Sequence, residues 1–260
     1  MRLKLLIAYD GRPFLGWQSQ AGGNTVQDCI ERALQKICGR RVVVHGAGRT
    51  DSGVHALGQV AHVDVDDRML PARWPAAINA NLPREIRVLR GTRVRGGFHA
   101  RISATKKTYT YRIWNAAIHP PFEVGRSWHF AHPLDPGVLR AMAALLTGTH
   151  DFASFAANRG KPDEDTTRTI FSITVRRKGP LLTLTFDGTG FLYKMVRLLT
   201  GSMIRVAQGR AAPEWIAGLL ASPGKMKTSF AAPADGLCLM RVRYGRKNSA
   251  RKDDGERMKR

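Results

Sequence analysis

Residues 168–188, RTIFSITVRRKGPLLTLTFDG, constrain the fold more than any other stretch. Two runs of strand-forming residues flank Lys178, Gly179 and Pro180, a connection so short that the runs can only pair as an antiparallel hairpin. The same two-residue period recurs. RLKLLIAYD sets Leu3, Leu5 and Ile7 on one side, and KKTYTYRIWN puts Lys107, Tyr109, Tyr111 and Ile113 on one face. LGQVAHVDV and LCLMRVRY read as further strands, and RVVVH (41–45) as a strand entering a glycine-rich loop. Helical signals lie between. TVQDCIERALQKICG has Thr25 as N-cap, Asp28 three residues on, a stripe of Val26, Ile30, Ala33, Leu34 and Ile37, and Gly39 as its stop. DPGVLRAMAALLTG has Asp135 as cap, Pro136 in its first turn and Gly148 at its end. GFLYKMVRLLTGSMIRVAQG predicts a helix with Met195, Leu199, Met203 and Val206 inward, and residues 71–82 predict a weaker one interrupted at Pro75.

Strands and helices mix without strict β-α-β alternation, so the expected class is α+β: a mostly antiparallel mixed sheet flanked by helices. Two halves are expected, 1–104 and 105–244, each about the size of a small domain. A polar, basic tail, 245–260, follows and is expected to be disordered.

A chain of 260 residues can bury a core without crosslinks. Cys29, Cys38 and Cys238 are odd in number and lack CxxC or CxxH spacing, which predicts reduced thiols. The apolar start MRLKLLIAYD ends at Asp10, too soon for a signal-peptide core, and nothing approaches the ~18 apolar residues of a membrane helix. The expectation is a soluble, cytoplasmic protein with no membrane partner.

Charge points to the partner. Lys plus Arg number 42 against 20 Asp plus Glu, a formal +22, and the tail holds only seven of the basic and three of the acidic residues. The body itself is therefore cationic, and nucleic acid is the expected polyanion, since neutralising phosphates releases condensed counterions.

GAGRTDSGVHALGQ (46–59) spends four glycines around Arg49, Thr50, Asp51 and His55. One reading is a dinucleotide loop, VVVHGAGRTDSG, with Asp64 or Asp66 for a ribose; Asp51 replaces its third glycine and would repel a pyrophosphate. Another makes Asp51 the reactive group, kept ionised by a nearby cation such as Arg49 and able to act as base or as nucleophile at a sugar carbon. A third is a surface turn aspartate beside a solvated arginine. His55 reads either as a base or as a hydrogen-bonded structural histidine. There is no P-loop and no HExxH; His129 and His132 in HFAH have the spacing of one helical face but lack further metal ligands.

Six segments add a resemblance. AYDGRPFLGWQSQAGGNTVQDCIERAL (8–34), GAGRTDSGVHALGQVAHV (46–63), FHARISATKKTYTYRI (98–113), DFASF (151–155), GFLYKMVRLLTGSM (190–203) and DGLCLMRVRY (235–244) together resemble the tRNA pseudouridine synthase A family. They stand in family order; Ser52 departs slightly from the usual GRTDAGVH, and the tail lies outside. The resemblance implies isomerisation of uridine to pseudouridine at tRNA positions 38, 39 and 40 in the anticodon stem-loop, with no cofactor and no metal. It implies a pseudouridine synthase fold of two related halves with the active-site cleft between them, and a homodimer whose tRNA crosses both subunits. It makes Asp51 the catalytic carboxylate and Tyr109 the ring that stacks on the uracil, an interaction of ~1 to 3 kcal/mol per base in single-strand binders. It makes Arg197 the partner of the aspartate, on an otherwise apolar helix, and Leu237 the lid that keeps water from the reacting ribose. Arg49 resembles the arginine that fills the gap left by a flipped uridine. Tyr111 is expected in the core, and Lys106, Lys107, Arg112, Arg176, Arg177 and Lys178 are candidates for a phosphate track acting through their collective field.

Overall fold

Alternation at the start of the chain becomes β1, Arg2–Tyr9, with Leu3, Leu5, Ile7 and Tyr9 buried and the residues between them half-buried. The computed structural model describes residues 1–157 and 165–245, so the expectation for the tail falls, beyond Gly245, outside the described residues. α1, Val26–Cys38, starts where the Thr25 hydroxyl accepts from the Asp28 backbone N–H at 3.2 Å, and ends where the Gly39 N–H donates to the Gln35 carbonyl. Val26, Ile30, Ala33 and Leu34 are buried as their spacing requires, with Ile37 packed against the edge of the same core.

RVVVH departs from expectation. Only His45–Gly46, β2, forms ladder bonds, although Val42 and Val44 are buried and Val43 is exposed. The Glu31 carboxylate accepts from the Val44 N–H at 3.0 Å, taking the donor that a neighbouring strand would have used. β3, His55–Asp64, follows the glycine loop. The helix expected over 71–82 is a 3₁₀ turn, Pro71–Arg73, leading into α2, Trp74–Asn79, with Pro75 in its first turn where its missing N–H is harmless. β4, Ile86–Val94, escaped the sequence reading because arginines dilute its alternation.

β5, Lys106–Trp114, buries Tyr109, Tyr111 and Ile113 on the predicted face. In HFAH, His129 lies in the two-residue strand β6, Trp128–His129, so it shares no helical face with His132; it stacks on His119 instead. α3, Pro136–Leu146, precedes β7, Gly148–Asp151, and the predicted hairpin is β8, Thr167–Lys178, with β9, Leu181–Gly188. α4, Met195–Ala207, starts five residues later than GFLYK suggested, because Lys194 takes a left-handed φ of +58° and stops helix from extending back. α5, Pro213–Ala221, and β10, Leu237–Arg243, complete the order.

The strands form one sheet, β4-β1-β3-β10-β5-β9-β8-β7, with β2 beside β3 and β6 beside β5. Among the described residues only the β10–β3 and β5–β6 pairs are parallel, so the class is α+β with a mostly antiparallel sheet, as expected. Apolar side chains of α1, α3 and α4 join the buried face of the strands in one core. β10 decides where the site lies. The last strand of the described residues enters between β3 and β5, placing Leu237 opposite Tyr111 and Leu239 opposite Tyr109, with Cys238 beside His55.

Candidate active site

The loop before β3 is tied down on both shoulders. Thr50 accepts at its carbonyl from the Trp17 N–H, and its hydroxyl lies 2.8 Å from the Tyr9 hydroxyl. Gln59, completely buried in β3, donates its amide to the Gly48 carbonyl at 2.9 Å. Between these anchors the Val54 N–H returns to the Asp51 carbonyl, a turn that runs through Gly53 at φ +79°, where a side chain would be strained. At Gly46 the reason is space, since a Cβ would overlap the Trp17 indole. The glycines let other backbone and rings close in, which holds Asp51 in one place.

Arg197, third residue of α4, meets that carboxylate. Its Nη1 is 3.1 Å from Asp51 Oδ2, and its Nε donates to the Ala232 carbonyl at 2.7 Å. Both side chains of the pair are largely buried, at 15% and 16% exposure. Tyr109 and Leu237 line the same cleft as Asp51, each almost wholly buried. Burial pushes the Tyr109 phenol far above its usual range, with Tyr9 and Asp51 adding to the shift, so the ring is neutral at physiological pH. Phe191 fixes its plane edge-on at 5.3 Å between centroids. Arg49 stands exposed on the cleft wall, its Nε donating to Gln18 Oε1 at 3.0 Å.

The cleft encloses about 640 Å³, within the range of small-ligand sites. Asp51, Tyr109, Arg49 and Leu237 all line it, and Arg197 reaches it through the ion pair. Tyr111 is fully buried and donates its hydroxyl to the Pro233 carbonyl at 2.7 Å.

Other candidates fall elsewhere. His55 is not in this cleft: its Nε2 lies 2.8 Å from the Gly125 carbonyl, and its Nδ1 faces the Gly11 N–H and Asp10. The dinucleotide reading fails, because the loop leads into a strand rather than a helix, Asp64 is held by Arg2, and Asp66 by Arg40 and Arg68. Of the phosphate-track candidates, Lys106 is paired with Asp187 and Arg112 with Glu123. Arg176, Arg177 and Lys178 sit at the far end of the hairpin, outside the cleft, which only Lys107 lines. Sequence reasoning passed over Gln59, Trp17 and Phe191; a glutamine inside the apolar run of LGQVAHV was the available signal for the first.

An ion-paired carboxylate and a fixed aromatic ring in one cleft lined by cations suit a ligand with both a flat ring and negative charge. Similarity to known proteins narrows this. A family model described as tRNA pseudouridine synthase matches residues 5–101 and 142–245. The tRNA pseudouridine synthase A of Akkermansia muciniphila is 49% identical over 251 residues, 94% of this chain and 95% of that protein. Those of Solidesulfovibrio magneticus (44% over 251 residues, covering 94% and 91%) and Moorella thermoacetica (41% over 244 residues, covering 93% and 99%) are also similar along nearly their whole length. The chain belongs to the tRNA pseudouridine synthase family.

Proposed function

We propose that this protein is an isomerase that converts uridine to pseudouridine at positions 38, 39 and 40 of the tRNA anticodon stem-loop. The observation that carries the site assignment is the Asp51–Arg197 pair beside Tyr109 in one cleft. In the net reaction the C1′–N1 bond breaks, the uracil turns over and C1′ bonds to C5. The C5 proton is lost and N1 gains one, so the bookkeeping of atoms and electrons closes without an oxidant. Asp51 acts on the nucleoside by addition to the base, attack at C1′ or removal of the C2′ proton. Each route needs the carboxylate held still, and Arg197 together with the Thr50, Gly48 and Val54 anchors supplies that. Tyr109 receives the uracil face, and Leu237 excludes water from the ribose.

A paired uridine must leave the stack to reach this depth, at a cost of about a few kcal/mol. Arg49, on the wall of the cleft, takes the vacated place. The 1–104 half brings the Asp51 loop and the 105–244 half brings Tyr109, Arg197 and Leu237, so the cleft forms where the halves meet. The enzyme works in the cytoplasm as a homodimer, with one tRNA crossing both subunits. The formal +22 supports a polyanionic substrate.

Tritium release from tRNA carrying 5-tritiated uridine tests the reading. The natural protein should release tritium and Asp51→Asn should not. Binding without release by the natural protein would instead describe a catalytically silent RNA-binding protein, and release that survives Asp51→Asn would remove Asp51 from the chemistry.

A further inference from the structure

Lys107 has no part in the chemistry above, yet its surroundings are those of a ligand-binding group. It lies on the Tyr109 face of β5, two residues away, which along a strand is roughly 7 Å. Its ammonium rests against the Asp51 loop, such that a Cβ on Gly48 would stand 3.0 Å from Nζ. Its neighbour Lys106, on the opposite face, is held by Asp187 at 3.1 Å. Among the described residues Lys107 itself forms no hydrogen bond or ion pair.

A half-buried ammonium without a partner is unfavourable, and the described residues of the cleft offer it no free anion. Among the described residues Arg49, Arg101, Lys107, Arg168 and Lys194 line the cleft, against the single carboxylate of Asp51, which Arg197 already holds. Burial, with help from Arg101 and Arg168, lowers the Lys107 pKa to about 8, so the amine is still mostly protonated at pH 7. The missing partner is an anion that arrives with the ligand.

We propose that Lys107 binds a non-bridging oxygen of the phosphodiester next to the flipped uridine, so that the extruded nucleotide is gripped by its backbone while Tyr109 takes its base. This rests on the reading given under Proposed function. The two contacts sit about one nucleotide apart on one rigid strand, so the phosphate sets how far the base enters. Lys107 is in this sense a positioning residue, and the remaining cations of the cleft wall strengthen its field.

The test uses anticodon stem-loop RNAs in which each phosphate flanking the target uridine is replaced in turn by a neutral methylphosphonate. These are measured for affinity and for tritium release with the natural enzyme, Lys107→Met and Lys107→Arg. One methylphosphonate should weaken binding to the natural enzyme by about tenfold or more and have little further effect on Lys107→Met, the signature of a shared contact. Lys107→Met should raise KM by a similar factor with a smaller change in kcat, and Lys107→Arg should recover most of the loss. The slope of log affinity against log salt should fall by about 0.7 to 0.9 in Lys107→Met. Additive losses at both flanking positions, or a defect confined to kcat, would overturn the assignment. So would indifference of the natural enzyme to both methylphosphonates, which decides the matter even if Lys107→Met does not fold. Affinity reads this contact and tritium release reads the reaction, so the two proposals can fail separately.

Discussion

Replacing Arg197 by methionine keeps much of the side chain's length and removes the charge opposite Asp51. Removing one partner of a fully buried pair destabilises by about 3 to 5 kcal/mol, because the other charge is left without compensation. Here each side chain keeps 15% to 16% of its exposure, so water offsets part of that loss and about 2 to 3 kcal/mol is expected. The hydrogen bond from Nε to the Ala232 carbonyl is lost as well. Asp51→Asn needs no counter-charge, so the double variant Asp51→Asn/Arg197→Met should lose about 2 kcal/mol less than the two single losses together. Urea unfolding at pH 7 of the natural protein, both single variants and the double variant measures this coupling. In the tritium assay Arg197→Met should lower kcat by about a hundredfold, since a carboxylate free to turn is misplaced for attack. A destabilisation below about 0.5 kcal/mol, with single effects that simply add, would show the pair to be solvated and would refute the view that Arg197 holds the carboxylate in position.

Arg49→Ala should slow turnover more than it weakens tRNA affinity; equal losses in both would contradict a role in replacing the flipped base. Deleting residues 246–260, which lie beyond the family match ending at 245, should leave kcat nearly intact, and a soluble but inactive truncate would show the tail to be required. Burial lowers the His62 pKa to about 4, with His45 and His99 adding to the effect, so the unfolded chain binds this proton more readily than the folded one. Stability from this group is complete above about pH 6.5 and falls, by at most about 3 kcal/mol, as pH drops towards 4. His62→Gln, which keeps an acceptor for the Ala100 N–H, should flatten urea-melt stability between pH 6.5 and 4.5, and an unchanged slope would exclude His62 as its source.

Elements whose determinants lie within a few residues were legible before any tertiary contact was known. The Thr25 cap and Gly39 stop of α1, the alternation of β5 and the two-residue turn between β8 and β9 are local, so short-range sterics and hydrogen bonding decide them. Asp51 stood out for the same reason, a carboxylate among glycines that a plain turn would not need. The roles given to Arg197, Tyr109, Leu237 and Arg49 came with the family resemblance and not from periodicity.

Tertiary structure decided the rest. RVVVH has strand composition, yet Glu31 took its free donor and left only β2 in the ladder. Lys106 and Lys107 are identical letters side by side; the pleat sends one to Asp187 and the other into the cleft. Asp51 and Arg197 are 146 positions apart, and they meet because β10 joins β3 to β5 in one sheet and α4 packs into the core beside it. A sequence specifies by itself what neighbouring residues can do to one another. Which distant groups share a cleft depends on the whole core closing first, because only the combined burial of many side chains offsets the entropy of bringing such distant segments together.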